Sequence, residues 1–254
     1  MTNDPDTMDT GAYLARGGRL SSPENVASRY RGELLRLMSS FVDSELAGSA
    51  GFAATINMAP GIKARIAASR ITLEKADHAE RVLDLMEAFG TDKVLYEKAH
   101  NWAARVNRES SLEAKRHGGD MRLSVFHYPL TGWTDAVVMN VLMGLATVHS
   151  LKELSHCSYQ PLAEVLHDIL PCEQRHMALG LEALEQIATD AIEQTVARAS
   201  VAYWMPRVAE TFGPAQSDRF ARLCEMGLRR TDNETLRQAW RADAETRLAA
   251  LKLI

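Results

Sequence analysis

PLAEVLHDILPCEQRHMALGLEALEQI, residues 161–187, decides the fold. Its apolar residues recur every three to four positions, so it reads as one long amphipathic helix, opened by Pro161 and ending at about Ile187. Pro171 inside it removes a ladder hydrogen bond, and a kink or bulge is expected just before Cys172 and Glu173. The tetrapeptide Glu173-Gln174-Arg175-His176 places a carboxylate and an imidazole three apart on one helix face, where both can reach a single metal ion. Alone it is a weak signal, because the same spacing arises by chance on solvated helix surfaces.

Reading outward, the chain is helical throughout, with no alternating β-type run of useful length. Ser22-Pro23-Glu24 looks like a cap with proline at the first helical position, opening a helix that carries Leu34, Leu35, Met38, Phe41, Val42 and Leu46 to roughly Gly51, or to Asn57 with a kink. Pro60-Gly61 restarts the chain, and Ile62 to Phe89 is a second long helix stopped by Gly90. A shorter helix is expected around Lys93 to Val106. Glu109 to Tyr128 is polar and broken by Gly118-Gly119, which suits a connection crossing a bundle. Thr131 to about Cys157 is the third long helix. Outer helices follow at about Ile192 to Phe212, Gln216 to Leu228 and Asp232 to Leu253. The expectation is an all-α, ferritin-like four-helix bundle with a long crossover and additional outer helices. Residues 1–22 are read as a flexible N-terminal tail, and 23–254 as a single helical domain.

Composition narrows the partners. Twenty-nine basic against thirty-three acidic residues give a formal charge of −4, and without a basic stripe nucleic acid is not an expected ligand. The most apolar run, Ala136 to Val148, is interrupted by Asn140 and too short to span a bilayer, so no membrane role is expected. Three cysteines, Cys157, Cys172 and Cys224, form neither a CxxC pair nor an even framework, which fits a reducing cytoplasm and three small buried side chains.

Bundles that hold two bridged metal ions use a lone carboxylate from each of two helices and an ExxH from each of two others. In the first half, Glu45 lies one long helix before Lys75-Ala76-Asp77-His78, a half-motif with lysine where glutamate would bridge the metals. In the second half, the matching register before Glu173 falls on Gly144. Glu45, His78, Glu173 and His176 thus fill four of six ligand places, and Lys75 and Gly144 occupy the other two.

Several stretches carry a resemblance to a known family. Val125-Phe126-His127-Tyr128-Pro129, Gly132-Trp133-Thr134-Asp135, Ser158-Tyr159-Gln160-Pro161 and Glu173-Gln174-Arg175-His176 resemble the phenylacetyl-coenzyme A epoxidase family, on the side of its catalytic ferritin-like component. Asp43-Ser44-Glu45-Leu46 and Glu74-Lys75-Ala76-Asp77-His78 fall where that component has its first carboxylate and first ExxH. Tyr203-Trp204-Met205-Pro206 and Phe212-Gly213-Pro214 are similar to its outer helices, so the likeness runs from about Arg29 to Leu251. It implies a ferritin-like fold, non-haem iron, dioxygen, an aromatic or other acyl-coenzyme A substrate, a reductase, and assembly as a homodimer or with a second ferritin-like protein.

The full metal set does not carry over. Four carboxylates would balance two divalent ions, whereas Glu45, Glu173 and Lys75 sum to −1 with neutral histidines. Two ions would leave excess positive charge in a low-dielectric core. Charge balance therefore favours one iron or none. In the leading reading, one iron on Glu45, His78, Glu173 and His176 activates dioxygen in aromatic or acyl-coenzyme A catabolism, with Glu45, Lys75 and Glu173 as the catalytic groups. In its rival, Lys75 replaces the metal by bridging Glu173, and the chain is a metal-free structural or regulatory partner.

Other candidates have plainer readings. His127, His149, His156 and His167 are expected away from the centre, His149 because it is rotated about 140° from Gly144. Asp77 is expected outside, and Glu74 is a spare one turn before His78. Tyr159, Trp133 and the methionines read as core. Gly144 opens space that water, a small ligand or a neighbouring side chain could take.

Overall fold

The computed structural model describes residues 10–110 and 119–254. Among these residues there are nine α-helices and no strand. The four longest make the bundle: α2 (Ser28–Thr55), α3 (Ile62–Glu87), α5 (Trp133–Leu154) and α6 (Gln160–Ile187). α2 packs on α3, α5 on α6, and α3 on α6 closes the ring. α1 (Thr10–Ala15) and α4 (Lys93–Glu97) are short. α7 (Ala191–Ala209) and α9 (Asn233–Ala250) cover the outer side of α5, and α8 (Asp218–Glu225) lies near α1. The fold is all-α and ferritin-like, with outer helices added to a four-helix bundle.

α5 is buried on every face, which explains its apolar run: Val138, Leu142, Leu145 and Leu151 are all covered. Each such side chain contributes roughly 1.5–3 kcal/mol on leaving water. By length and composition α5 could also cross a membrane, but here α6, α7 and α9 sheathe it. Trp240 from α9 donates its Nε1–H to the Leu142 carbonyl at 2.9 Å, so even this wide apolar contact leaves no indole donor stranded.

Three expected boundaries change. The segment read as a loose tail is anchored from residue 10 onward: α1 buries Leu14, Leu20 is 5% exposed, and the Leu20 amide donates to the Ser158 carbonyl at 2.7 Å. Ser22 caps only a single 3-10 turn, Pro23–Asn25, and α2 starts at Ser28. The helix expected to reach Val106 ends at Glu97. Beyond it, guanidinium groups take the carbonyls. Arg122 donates to Asn101 O and Trp102 O, and Arg105 donates to Trp102 O, Ala104 O and Ala47 O. These bonds satisfy an irregular backbone that a helix would otherwise have had to satisfy itself. Residues 111–118 of the polar connection, and 1–9 of the expected tail, lie outside the described residues. α6 remains helical through Pro171, so the proline does not interrupt it.

Candidate metal centre

α2, α3 and α6 bring their polar residues to one point on the bundle axis. Glu45 is set by its neighbours in α2. Asp43 accepts from the Tyr96 hydroxyl and the Met121 amide, both at 2.6 Å, and Ser44 accepts from the Leu123 amide at 3.0 Å. The connection after Gly119 is thereby tied to α2 beside the site. Burial holds the Asp43 carboxyl above its ordinary range, against the pull of those two hydrogen bonds.

Lys75 fills the middle. Its ammonium donates to Glu45 Oε1 and Oε2 at 3.1 and 3.4 Å, and to Glu173 Oε1 and Oε2 at 3.0 and 3.2 Å. Its side chain is 7% exposed. Gly48, one turn along α2 from Glu45, makes room for the stem, since a Cβ there would lie 3.2 Å from Lys75 Cδ. His78 Nδ1 reaches Glu173 Oε1 at 3.1 Å and Glu45 Oε2 at 3.3 Å. His176 Nδ1 reaches the same Glu173 oxygen at 3.2 Å. One carboxylate oxygen thus faces three nitrogen donors.

These contacts set the charge states. Burial opposes an ammonium at Lys75, but the fields of Glu173 and Glu45 outweigh it and raise its pKa, so the proton stays. Burial likewise opposes a charged His78. Hydrogen bonds to Glu173 and Glu45 overcome that and raise its pKa to about 9. Burial would lift Glu173, yet the Lys75 charge beside it and the two imidazoles hold it well below the usual carboxylate range. Glu45 and Glu173 therefore face the Lys75 ammonium and a His78 imidazole whose charged form they favour.

His176 looks two ways. Its Nε2 lies 2.6 Å from Glu74 Oε2 and 3.5 Å from Cys172 Sγ, on the side of the α3–α6 seam that reaches solvent. Burial acts to raise the Glu74 carboxyl, but hydrogen bonds from His176 and Cys172 lower it. The Cys172 thiol is pushed up to about 12, by burial first and by Glu74 next. From the sequence alone Glu74 is a spare beside His78, and Cys172 a small packing residue. The available signal was Cys172 and His176 at i and i+4 on one helix face.

All five predicted site residues, Glu45, Lys75, His78, Glu173 and His176, come together. Gly144 does not open a cavity: Met177 fills the place, with its Cβ 3.1 Å from where a Gly144 Cβ would be. One turn before it, Asn140 donates to the His176 carbonyl at 3.0 Å, and only a glycine at 180 lets it approach. His149 points to Asp243 on α9 at 3.6 Å, His156 to the Lys152 carbonyl at 2.8 Å, and Asp77 is exposed. Tyr159 packs against Phe89 in the core, the rings tilted by 58° with centroids 5.5 Å apart.

A family model described as phenylacetic acid catabolic protein matches residues 8–254. The chain belongs to this family. It is also 25% identical over 213 residues to the A component of 1,2-phenylacetyl-CoA epoxidase from Escherichia coli (strain K12), a match covering 82% of the chain. The match spans 64% of that protein's length. The ligand-type residues on helices α2, α3 and α6 invite comparison with a bundle site for two bridged metal ions.

The donors do not fit the two ions such a site would hold. Two groups could each coordinate one ion, Glu45 with His78 and Glu173, and Glu74 with Cys172 and His176, the ligand atoms of each lying within 4.8 Å of one another. The first group's carboxylate oxygens already surround the Lys75 ammonium, and no carboxylate comes from α5 at Gly144. A divalent ion there must displace a cation that these same oxygens hold protonated.

Proposed function

We propose that this member of the phenylacetic acid catabolic family is a non-catalytic partner that folds around a fixed internal cation and assembles with a catalytic ferritin-like homologue. One observation carries the reading: Lys75 Nζ lies 3.0–3.4 Å from all four oxygens of Glu45 and Glu173. A buried ion pair is tolerable when geometry and hydrogen bonds are good, as they are here. The cluster then does for bundle register what metal does in a loaded relative, holding α2, α3 and α6 at one depth.

The test loads the chain with ferrous iron under anaerobic conditions and co-expresses it with a relative carrying a complete ligand set. The expected outcome is copurification with that relative and no iron whose binding depends on His78. Stoichiometric iron in the parent that disappears in a folded His78→Gln variant would overturn the reading.

A second reading keeps catalysis, with one iron on Glu45, His78, Glu173 and His176 oxidising an acyl-coenzyme A or an aromatic small molecule. A cavity of about 360 Å³ between α2, α5 and α8 favours it, because Glu45, Phe41, Phe126 and Met143 line the cavity and give an organic group room beside the cluster. Dioxygen uptake that requires both iron and a reductase would select this reading over the first.

A further inference from the structure

We infer that Glu74, Cys172 and His176 form a binding site for a thiophilic divalent cation, zinc above all, separate from the inner cluster and open to solvent. Three donor types converge on one side of the α3–α6 seam, with Cys172 and His176 one turn apart on α6 and Glu74 facing them from α3. The set of one sulfur, one imidazole nitrogen and one carboxylate oxygen is suited to zinc and poorly suited to hard cations such as magnesium.

The spacing agrees with that ion. Ligands at the usual zinc–sulfur and zinc–nitrogen lengths in a tetrahedron stand about 3.5 Å apart, and Cys172 Sγ is 3.5 Å from His176 Nε2. The Glu74 oxygen, 2.6 Å from that nitrogen, must retreat by less than about 1 Å to reach tetrahedral spacing. Its side chain is 27% exposed, so it can.

The other face of His176 is already arranged for this role. A metal-ligating histidine usually donates its second ring N–H to a carboxylate, which fixes the ring and raises its basicity. Here His176 Nδ1 lies 3.2 Å from Glu173 Oε1, and the His176 carbonyl is held by Asn140. Glu173 would be the positioning carboxylate and His176 Nε2 the ligand. Charge also balances, since a divalent ion on the Cys172 thiolate, the Glu74 carboxylate and a neutral imidazole leaves no net charge. Binding releases the thiol proton and whatever proton His176 Nε2 shares with Glu74. Three protein ligands leave a fourth position for water or an exogenous ligand, with Arg175 Nη2 3.6 Å from Glu74 Oε1 at the rim.

The site leaves the reading of a metal-free inner cluster standing, and the test separates the two. The full chain, stripped with chelator under reducing conditions, is titrated with zinc and, in parallel, with cobalt as a spectroscopic stand-in. Expected are one zinc per chain and a thiolate-to-cobalt charge-transfer band. Both should be lost or weakened at least tenfold in Cys172→Ser and in Glu74→Gln, and kept in His78→Gln, each variant checked for an intact melting transition. No saturable zinc, or a cobalt complex lacking the thiolate band, overturns this site alone. Zinc kept in Cys172→Ser but lost in His78→Gln places the ion in the inner cluster and overturns both readings.

Discussion

Gly48 lies directly beneath the Lys75 stem, so that a Cβ added to it would stand 3.2 Å from Lys75 Cδ and 3.4 Å from Phe126 Cε1. A glycine inside a 28-residue helix costs about 1 kcal/mol relative to alanine, and here that cost makes room for the internal cation. Lys75 could ordinarily yield to a methyl group, but its three ammonium hydrogens are shared among four carboxylate oxygens that pin the head. Gly48→Ala should therefore forfeit the helix-propensity gain and lose about 1 kcal/mol net, within the usual range for overpacking. Urea unfolding measures it. A stabilised variant would show that the ammonium is not held in place.

Asp135 explains why a stretch that marks the family need not touch the site. Its carboxylate takes both Arg108 amino groups at 2.7 and 2.9 Å, the Thr131 amide at 3.0 Å and the Trp204 Nε1–H at 2.9 Å. Arg108 in turn lies 3.7 Å over the Tyr203 ring. The residues resembling the family at 132–135 and 203–206 thus form one latch between the start of α5 and α7. Asp135→Asn should cost about 3 kcal/mol, because it leaves a half-buried guanidinium without its fork partner. The loss should appear in thermal melts, with the ultraviolet spectrum of the inner helices and any metal binding unchanged in the variant that remains folded.

Much of this was legible in the chain. Long apolar periodicity gave the four bundle helices within a few residues, since each buries a continuous stripe, and register gave Glu45, Lys75, His78, Glu173 and His176. Glu74 and Cys172 escaped because their role depends on how α3 is rotated against α6, which no spacing within either helix reports. Met177 filling the place beside Gly144 escaped for a similar reason: a glycine in a helix is equally a hole or a point of close approach until its neighbour is known. Likewise the end of α4 depended on Arg105 reaching the Ala47 carbonyl and Arg122 the Asn101 carbonyl, an outcome local propensity does not encode.

Stability should carry the signature of the cluster of Glu45, Lys75, His78 and Glu173. The His78 pKa is raised to about 9 in the fold from an ordinary 6.5. Its contribution is fully present below about pH 6.5 and fades as pH rises through 9. That amounts to a loss on the order of 3 kcal/mol at most across this window. Glu173 works in the opposite sense. Its carboxyl is depressed in the fold, so its contribution is present above pH 4.5 and falls away as pH drops toward the depressed value. Melting temperatures from about pH 2 to about pH 10 should trace a plateau with a decline on each side. His78→Gln should flatten the alkaline decline, and an unchanged alkaline slope in that variant would refute the charged imidazole.

The internal cation itself is open to replacement in two opposite ways. Lys75→Met keeps the stem's bulk and removes the charge, leaving Glu45 and Glu173 with only His78 to offset them. Breaking a buried pair in this way should destabilise by about 3–5 kcal/mol. Lys75→Glu should be worse still without metal, because a third carboxylate joins the same oxygens. It should also be rescuable. Manganese prefers oxygen donors and has little claim on Cys172, so any rise in melting temperature it causes reports the inner cluster. At a hundred times its dissociation constant, a bound ion adds about 2.7 kcal/mol. Manganese should therefore raise the melting temperature of Lys75→Glu and leave the parent unmoved. If manganese stabilises the parent to the same extent, the ammonium of Lys75 is not occupying the place of a metal.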